Sequence, residues 1–212
     1  MDTIPGVLRS AAARFGDAPA YVEGDRRVGF AELHALVGRV AGRYLAHGVE
    51  PGFRAVVWAP NSIEWVVAAL AVTYAGGTLV PANSRYTAHE VAELIERTDA
   101  RVVVLADGFL GRTQLADLRA AARLDGVRLV LDVADLLDPA ASTAPIEDVE
   151  ARADAVDADD IADILFTSGT TGRPKGAMSA HRQTVGVARV WGELGGVTAE
   201  DRYLVEIGRA HV

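Results

Sequence analysis

The sequence predicts an α/β fold in which layers of helices cover a mostly parallel β-sheet. Over roughly the first 130 residues, short apolar runs with strand composition alternate with longer stretches of helical periodicity, which is typical of an α/β sheet rather than of a helical bundle. Of the 212 residues, 50% are hydrophobic and 24% are charged, so the chain can bury a real core. The uncharged run over residues 65–82 is interrupted by Gly76 and Gly77, which favours a buried helix, a tight turn and a central strand over a membrane span.

Start and end signals divide the first part of the chain into elements. Gly48 ends a helix that begins at Phe30, because glycine commonly follows the last helical residue. Ser62 is a suitable N-cap for an apolar helix that ends near Ala75. The predicted order is a helix at 3–15, two hairpin-like strands at 20–22 and 27–28, a helix at 30–47, a strand at 54–58, a helix at 62–75 and a strand at 78–80.

The next elements follow the same alternation up to a change in composition. Thr87 and Glu90 have the spacing of a capping box and predict a helix start. A strand at 101–105, a helix at 110–124 and a strand at 127–131 follow. Residues 138–160 are rich in Pro, Ala, Ser and acids and show no apolar periodicity, so we predict an acidic surface linker there. The predicted organisation is an α/β subdomain at 1–137, this linker, and a strand, loop and helix at 161–205.

Charge and cysteine content exclude several classes of function. The formal net charge of -8 gives no long-range attraction for a polyanion, so we expect no nucleic-acid partner. The chain has no cysteine, which excludes disulfides and thiolate chemistry and fits a cytoplasmic location. We also expect no export signal and no transmembrane span.

Chemistry is concentrated in one glycine-rich segment. A predicted strand at 161–166 runs directly into the sequence TSGTTGRPKG, residues 167–176. Glycines allow close approach of the backbone to a ligand, and hydroxyl and amide groups offer donors to phosphate oxygens. Lys175, the only lysine among 21 basic residues, adds a compact positive charge. The spacing matches neither the Walker loop, which requires Gly-Lys-Ser/Thr, nor the dinucleotide loop.

Histidines and acids elsewhere give weaker signals. His181 follows the loop at a predicted helix start, where we expect a structural role rather than proton transfer. His34, His47 and His89 lie in helical patterns that we predict to be exposed, and no pair of them has metal-ligand spacing. We predict that the acids of the linker are solvated rather than metal-binding.

The segment at 167–176 resembles, at every position, the signature [ST]-S-G-[ST]-T-G-x-P-K-G of the adenylate-forming superfamily. That superfamily contains acyl-CoA synthetases, the adenylation domains of peptide synthetases and beetle luciferases. Weaker matches are FAEL at 30–33 and AGGTLVP at 75–81. NSRYT at 83–87 is similar to the acyl-CoA ligase branch, and together with DGFLG at 107–111 it resembles ligases that act on steroid-ring propionates.

The resemblance implies the N-terminal domain of an adenylate-forming fold and a two-step reaction. A small carboxylic acid attacks ATP to give acyl-adenylate and pyrophosphate, and CoA then displaces AMP. Lys175 is implied to contact the phosphates, and Thr167 to ligate Mg²⁺. The implied ATP-binding residues are Thr167, Ser168, Gly169, Thr170, Thr171, Gly172, Lys175 and Gly176.

Two alternatives stay open at this point: an amino-acid adenylation domain, and a short non-catalytic nucleotide-binding module. Members of the superfamily run to more than twice this length, so we expect that the chain is an incomplete N-terminal fragment without ligase activity of its own. The last residues, 206–212, read EIGRAHV, which matches a translated sequencing adapter. We therefore expect that this tail is an artefact, which the codons of the coding DNA can test.

Overall fold

The computed structural model describes residues 2–167 and 174–205. Within these ranges the chain forms a two-stranded hairpin, a six-stranded sheet and a set of helices around them. The helices and strands are α1 (Ile4–Phe15), β1 (Pro19–Glu23), β2 (Arg26–Gly29), α2 (Phe30–Ala46), β3 (Arg54–Trp58), α3 (Ile63–Tyr74), β4 (Thr78–Pro81), α4 (Ala88–Thr98), β5 (Val102–Leu105), α5 (Gln114–Ala121), β6 (Leu129–Asp132), α6 (Ile146–Asp154), β7 (Ile161–Thr167), β8 (Lys175–Ala180) and α7 (His181–Leu194).

The six-stranded sheet has the order β6-β5-β3-β4-β7-β8. Strands β3 to β7 pair in parallel, and β8 runs antiparallel to β7. The predicted α/β class with a mostly parallel sheet is therefore confirmed. Strand β8 was not predicted, because its residues, KGAMSA, lack the apolar and β-branched content that marks the other strands.

Both faces of the sheet are covered, and each has its own core. Along β3, Ala55 and Val57 belong to the cluster formed with α1, α2, α3 and α6, whereas Val56 and Trp58 belong to the cluster formed with α4 and α5. Successive strand residues point to opposite faces, so a strand covered on both sides must be apolar throughout. This explains the continuous apolar runs at 55–58 and 102–105.

The turn between α3 and β4 explains the paired glycines of the AGG sequence. Gly76 has a φ of +70°, which a residue with a side chain rarely adopts. Its N–H donates to the carbonyl of Thr73 and that of Gly77 donates to the carbonyl of Val72, which is a Schellman ending. A Cβ at Gly77 would lie 2.5 Å from Cε1 of Phe53, so the two glycines are required for different reasons.

The uncharged run at 65–82 comprises most of α3, the turn after it, strand β4 and Ala82. The predicted helix, turn and strand are therefore present. In the part of the chain that the structure describes, no helix is long and apolar enough to cross a membrane.

Helix caps occur where the sequence predicts them. The Ser62 hydroxyl accepts a hydrogen bond from the Trp65 amide at 3.1 Å. Thr87 and Glu90 form the reciprocal capping box, in which Glu90 Oε2 accepts from the Thr87 amide at 2.7 Å. Each cap satisfies amide groups that have no partner inside the helix, so these helix starts are determined locally.

The helix predicted at 110–124 is shorter than expected. Residues 109–111 form a short 3-10 turn, and α5 begins only at Gln114. Leu110 and Gly111 both have positive φ, at 57° and 70°, and such residues cannot continue a right-handed helix. Gly108 and Gly111 were therefore the turn signals that this prediction overlooked.

The predicted linker at 138–160 also contains structure, and the prediction that it offers no apolar face was wrong. Residues 146–154 form α6, whose Val149 and Ala153 are 1% and 2% exposed. These two residues are four apart and so lie on one face of the helix. The sequence did not reveal this face, because only two apolar residues mark it and acidic residues surround them.

A polar cluster fastens α6 to three other helices. The Tyr74 hydroxyl donates to the carboxylate of Glu150, with its oxygens at 2.8 and 2.9 Å. Arg9 lies 3.5 Å from Glu150 and 2.5 Å from Asp154, and Nε2 of His34 lies 2.8 Å from the Tyr74 hydroxyl. Burial, and then the contact with Glu150, raise the pKa of Tyr74. His34, predicted to be exposed, is instead a partly buried member of this cluster, whereas His47 and His89 are exposed as predicted.

Candidate phosphate-binding site

Strands β7 and β8 bring two of the predicted site residues opposite each other. Thr167 ends β7, Lys175 begins β8, and the two are register partners in the antiparallel pair. Strand β7 is in turn joined to β4, where the Thr78 hydroxyl donates to the Ile161 carbonyl at 2.8 Å. Because β7 is parallel to β4, Thr167 and Lys175 lie at the carboxyl edge of the sheet, where open α/β sheets bind ligands.

Thr167, Lys175 and Gly176 are all exposed. The Lys175 amine has no hydrogen bond or ion pair with any of residues 2–167 and 174–205. The predicted ATP-binding residues Ser168, Gly169, Thr170, Thr171 and Gly172 lie outside the described residues.

Gly176 is explained by a close approach inside the hairpin. It pairs with Phe166, and a Cβ on Gly176 would lie 2.8 Å from Cγ2 of Ile164 and 3.2 Å from Cζ of Phe166. Phe166 and Ile164 pack against the α4 side of the sheet. Strand alternation places Thr167 and Lys175 on the opposite side, so one face of the hairpin is packed and the other carries the polar groups.

His181 joins the end of β8 to the beginning of the chain. It is the first residue of α7 and is 1% exposed, and its Nδ1 accepts a hydrogen bond from the Ile4 amide at 3.2 Å. Burial lowers the pKa of His181, and the carboxylates of Asp160 and Asp163 oppose that shift. A buried neutral imidazole held by α1 supports the structural role that the sequence predicts.

This contact predicts a pH-dependent stability. Because the folded pKa of His181 is depressed, the folded state takes up this proton less readily than the unfolded state, whose imidazole titrates near pH ~6.5. The stabilisation is therefore complete above about pH 6.5 and is lost as the pH falls through that value toward the lower folded pKa. Urea unfolding between neutral and mildly acidic pH should show a steeper loss for the wild type than for His181→Asn, which keeps an acceptor at the δ position. Equal pH slopes for the two proteins would contradict this assignment.

Asp163 is a polar residue of this region that the sequence analysis missed. It lies in the middle of β7, partly buried, and its Oδ2 accepts from the Thr184 hydroxyl of α7 at 2.9 Å. Its Oδ1 is buried and has no hydrogen-bond partner within the described ranges. The sequence could have pointed to Asp163, because it is a single acidic residue inside the otherwise apolar segment IADILF. Its observed role is to tie α7 to the strand that carries Thr167.

A second feature is a cavity of about 520 Å³ between α4 and α5, beside Trp58 at the end of β3. Helices α4 and α5 cover the same face of the sheet, so the cavity lies on that side. Its lining includes Trp58, Tyr86, Arg112 and Gln114. Trp58 Nε1 and Gln114 Oε1 are buried without a hydrogen-bond partner among the residues described.

The model of a known protein family matches the sequence of this chain. The family is described as AMP-binding enzyme, and the match covers residues 8–212. The chain belongs to the AMP-binding enzyme family. The predicted superfamily is thereby confirmed over nearly the whole sequence.

Two curated members of the AMP-binding enzyme family are especially similar to this chain. Both are named 3-[(3aS,4S,7aS)-7a-methyl-1,5-dioxo-octahydro-1H-inden-4-yl]propanoyl:CoA ligase. The protein from Rhodococcus jostii is 44% identical over 96% of this chain and 42% of its own length. The protein from Mycobacterium tuberculosis is 41% identical over 95% of this chain and 41% of its own length. The chain therefore spans about two fifths of the length of these relatives.

A solved structure of another AMP-binding enzyme shows the same fold. O-succinylbenzoate coenzyme A synthetase from Bacillus subtilis, in complex with AMP, superposes with a TM-score of 0.78 at 27% identity. The superposition covers 93% of this chain and 48% of that one. The predicted fold, the N-terminal domain of an adenylate-forming enzyme, is confirmed.

Proposed function

We propose that this chain is the phosphate-binding part of an ATP-dependent acyl-CoA ligase. The observation that carries the proposal is the antiparallel pair β7–β8, which sets Thr167 opposite Lys175 at the carboxyl edge of the sheet. The two relatives above 40% identity, both named as CoA ligases, support the same reaction class.

The proposed reaction joins a carboxylic acid to CoA in two steps. The carboxylate attacks the α-phosphorus of ATP, and pyrophosphate leaves. The CoA thiol then attacks the acyl-adenylate and AMP leaves. Negative charge grows on the departing pyrophosphate, so donors and positive charges that are already in place lower the barrier.

Lys175 and Thr167 are suited to that task. Lys175 is exposed at the start of β8 and lies opposite the hydroxyl-bearing Thr167, so a compact positive charge and a neutral oxygen face one ligand. We assign the phosphate contacts to Lys175 and to residues 168–172, and we assign to Thr167 a hydroxyl ligand for Mg²⁺. The ion suits this position, because Mg²⁺ usually takes few protein ligands and several phosphate or water oxygens.

The cavity between α4 and α5 supports the use of CoA as the second substrate. Arg112 brings a positive charge to its wall, where the guanidinium also donates to the Arg85 carbonyl at 3.3 Å. Trp58 and Tyr86 add aromatic rings. A cation beside aromatic rings suits a ligand that carries both phosphate and a base, and we place the nucleotide portion of CoA here.

We further propose that the acid substrate is a propionate carried on a fused-ring, steroid-derived skeleton. The names of the two relatives describe a propanoyl group on a fused two-ring octahydroindene skeleton, and the NSRYT and DGFLG segments resemble ligases that act on steroid-ring propionates. Inactivity of the 212-residue chain on its own stays a prediction, for which acid-dependent ATP–pyrophosphate exchange is the measurement.

Protection of Lys175 from amine modification tests the core of the proposal. Lys175 is the only lysine, so peptide mapping separates its labelling from that of the N-terminal amine without interference. We expect ATP and tripolyphosphate with Mg²⁺ to slow the acylation of Lys175 several-fold, because each would occupy the space beside the amine. Adenosine, which has no phosphates, is the matched control and should not protect. The same labelling rate with and without either phosphate ligand would reject the proposed site.

A further inference from the structure

We propose that Arg97, on the last turn of α4, is a positioning residue for the β7–β8 hairpin. It acts through the ring of Phe166. The effect on ATP rests on the proposed function, whereas the effect on the hairpin itself does not. Arg97 is distant in sequence from the glycine-rich segment and belongs to none of the motifs that identify the family.

The first contact in this arrangement joins α4 to β7. The guanidinium carbon of Arg97 lies 4.7 Å from the centroid of the Phe166 ring, which is within the range of a cation–π interaction. Nη1 of Arg97 lies 3.5 Å from Oε1 of Glu93 one turn earlier on the helix. The two side chains are four residues apart and therefore lie on the same face of α4.

The second contact joins Phe166 to the opposite strand. Phe166 and Gly176 are register partners, and the 3.2 Å separation between Cζ of Phe166 and the Cβ position of Gly176 shows that the ring lies against that glycine. Arg97, Phe166 and Gly176 thus form a continuous stack from helix to ring to backbone.

The stack ends one residue away from both polar groups of the site. Phe166 precedes Thr167, and Gly176 follows Lys175. Strand β8 has no strand beyond it among the described residues, so its pairing with β7 and the contact of Phe166 with Gly176 both help to position Lys175 relative to Thr167. By holding the ring in place, Arg97 keeps the two strand ends in one arrangement before a ligand arrives, and such preorganisation improves binding without a direct contact.

The test compares Arg97→Gln, which removes the charge, with Arg97→Lys, which keeps a cation able to contact the ring. Arg119→Gln is the matched control, because Arg119 is an exposed arginine on the neighbouring helix α5. The first measurement is hydrogen–deuterium exchange of the β7 and β8 peptides in the ligand-free chain. We expect faster exchange there in Arg97→Gln, wild-type exchange in Arg119→Gln and near-wild-type exchange in Arg97→Lys. Unchanged exchange in Arg97→Gln would overturn the proposal.

The second measurement is the ATP concentration that half-protects Lys175 from labelling. The loss of an exposed cation–π contact should raise it about two- to five-fold in Arg97→Gln, with recovery in Arg97→Lys. In a Phe166→Leu background, Arg97→Gln should have no further effect, since the two side chains act through one contact. Faster exchange without any ATP protection in the wild type would reject the proposed function and keep the hairpin assignment. Protection that is equal in wild type and Arg97→Gln would overturn the role of Arg97 in binding.

Discussion

Lys175→Ala is expected to weaken ATP binding to this chain by about ten- to a hundred-fold, the range that corresponds to losing one hydrogen bond to a charged group. The amine is exposed, has no partner among the described residues, and stands opposite Thr167. Its loss should therefore remove a ligand contact without disturbing the fold. Equilibrium dialysis with labelled ATP and Mg²⁺ gives the affinity directly.

Two further variants test whether ATP binding depends on the position of the Lys175 charge or only on the net charge of the chain. Lys175→Arg keeps the charge in a planar fork on a different stem, and we expect it to restore only part of the affinity. Arg119→Ala removes one positive charge from an exposed site on α5 and should bind ATP like the wild type. If Lys175→Ala and Arg119→Ala weaken binding equally, the effect of Lys175 is long-range charge and the assigned contact is wrong.

Gly77→Ala is expected to lower the free energy of unfolding by about 1–3 kcal/mol, the usual cost of forcing extra volume into a packed core. The new Cβ would lie 2.5, 2.6 and 2.9 Å from three atoms of the Phe53 ring. Phe53 is 3% exposed, so its ring is packed in the core and can move aside only by displacing neighbouring core atoms. Urea denaturation followed by circular dichroism measures the change.

Gly186→Ala is the matched control for that variant. Gly186 lies inside α7, and a Cβ there meets no atom within 4 Å. The same chemical change should therefore raise the free energy of unfolding by about 0.5–1 kcal/mol, because alanine is the better helix former. A similar loss of stability in both variants would show that steric contact with Phe53 is not the cause.

The elements that sequence reasoning located well are those that local chemistry determines. The Ser62 and Thr87 caps bond to amides only three residues away, and the end of α3 is set by Gly76, which has a positive φ two residues after the helix. Two of the three discrepancies in secondary structure have the opposite origin. Helix α6 forms where two small residues contact other helices, and β8 forms because it pairs with β7.

The candidate site also combines features that neighbouring residues determine with features that depend on distant parts of the chain. Its family, its lone lysine and its glycines follow from the residues at 167–176, because the signature is continuous in sequence. The partners that hold it come from elsewhere in the chain: Arg97 from α4, Thr184 from α7, and the Ile4 amide, which contacts His181.

The sequence by itself therefore determined the α/β class, the helix caps and the phosphate-binding segment, since each depends on neighbouring residues and on apolar periodicity. Tertiary structure alone decided the order of the strands, the docking of α6 through Tyr74 and Glu150, and the stack of Arg97 on Phe166. These depend on side chains that are far apart along the chain, and their contact energies exist only after the sheet and its helices have brought them within reach.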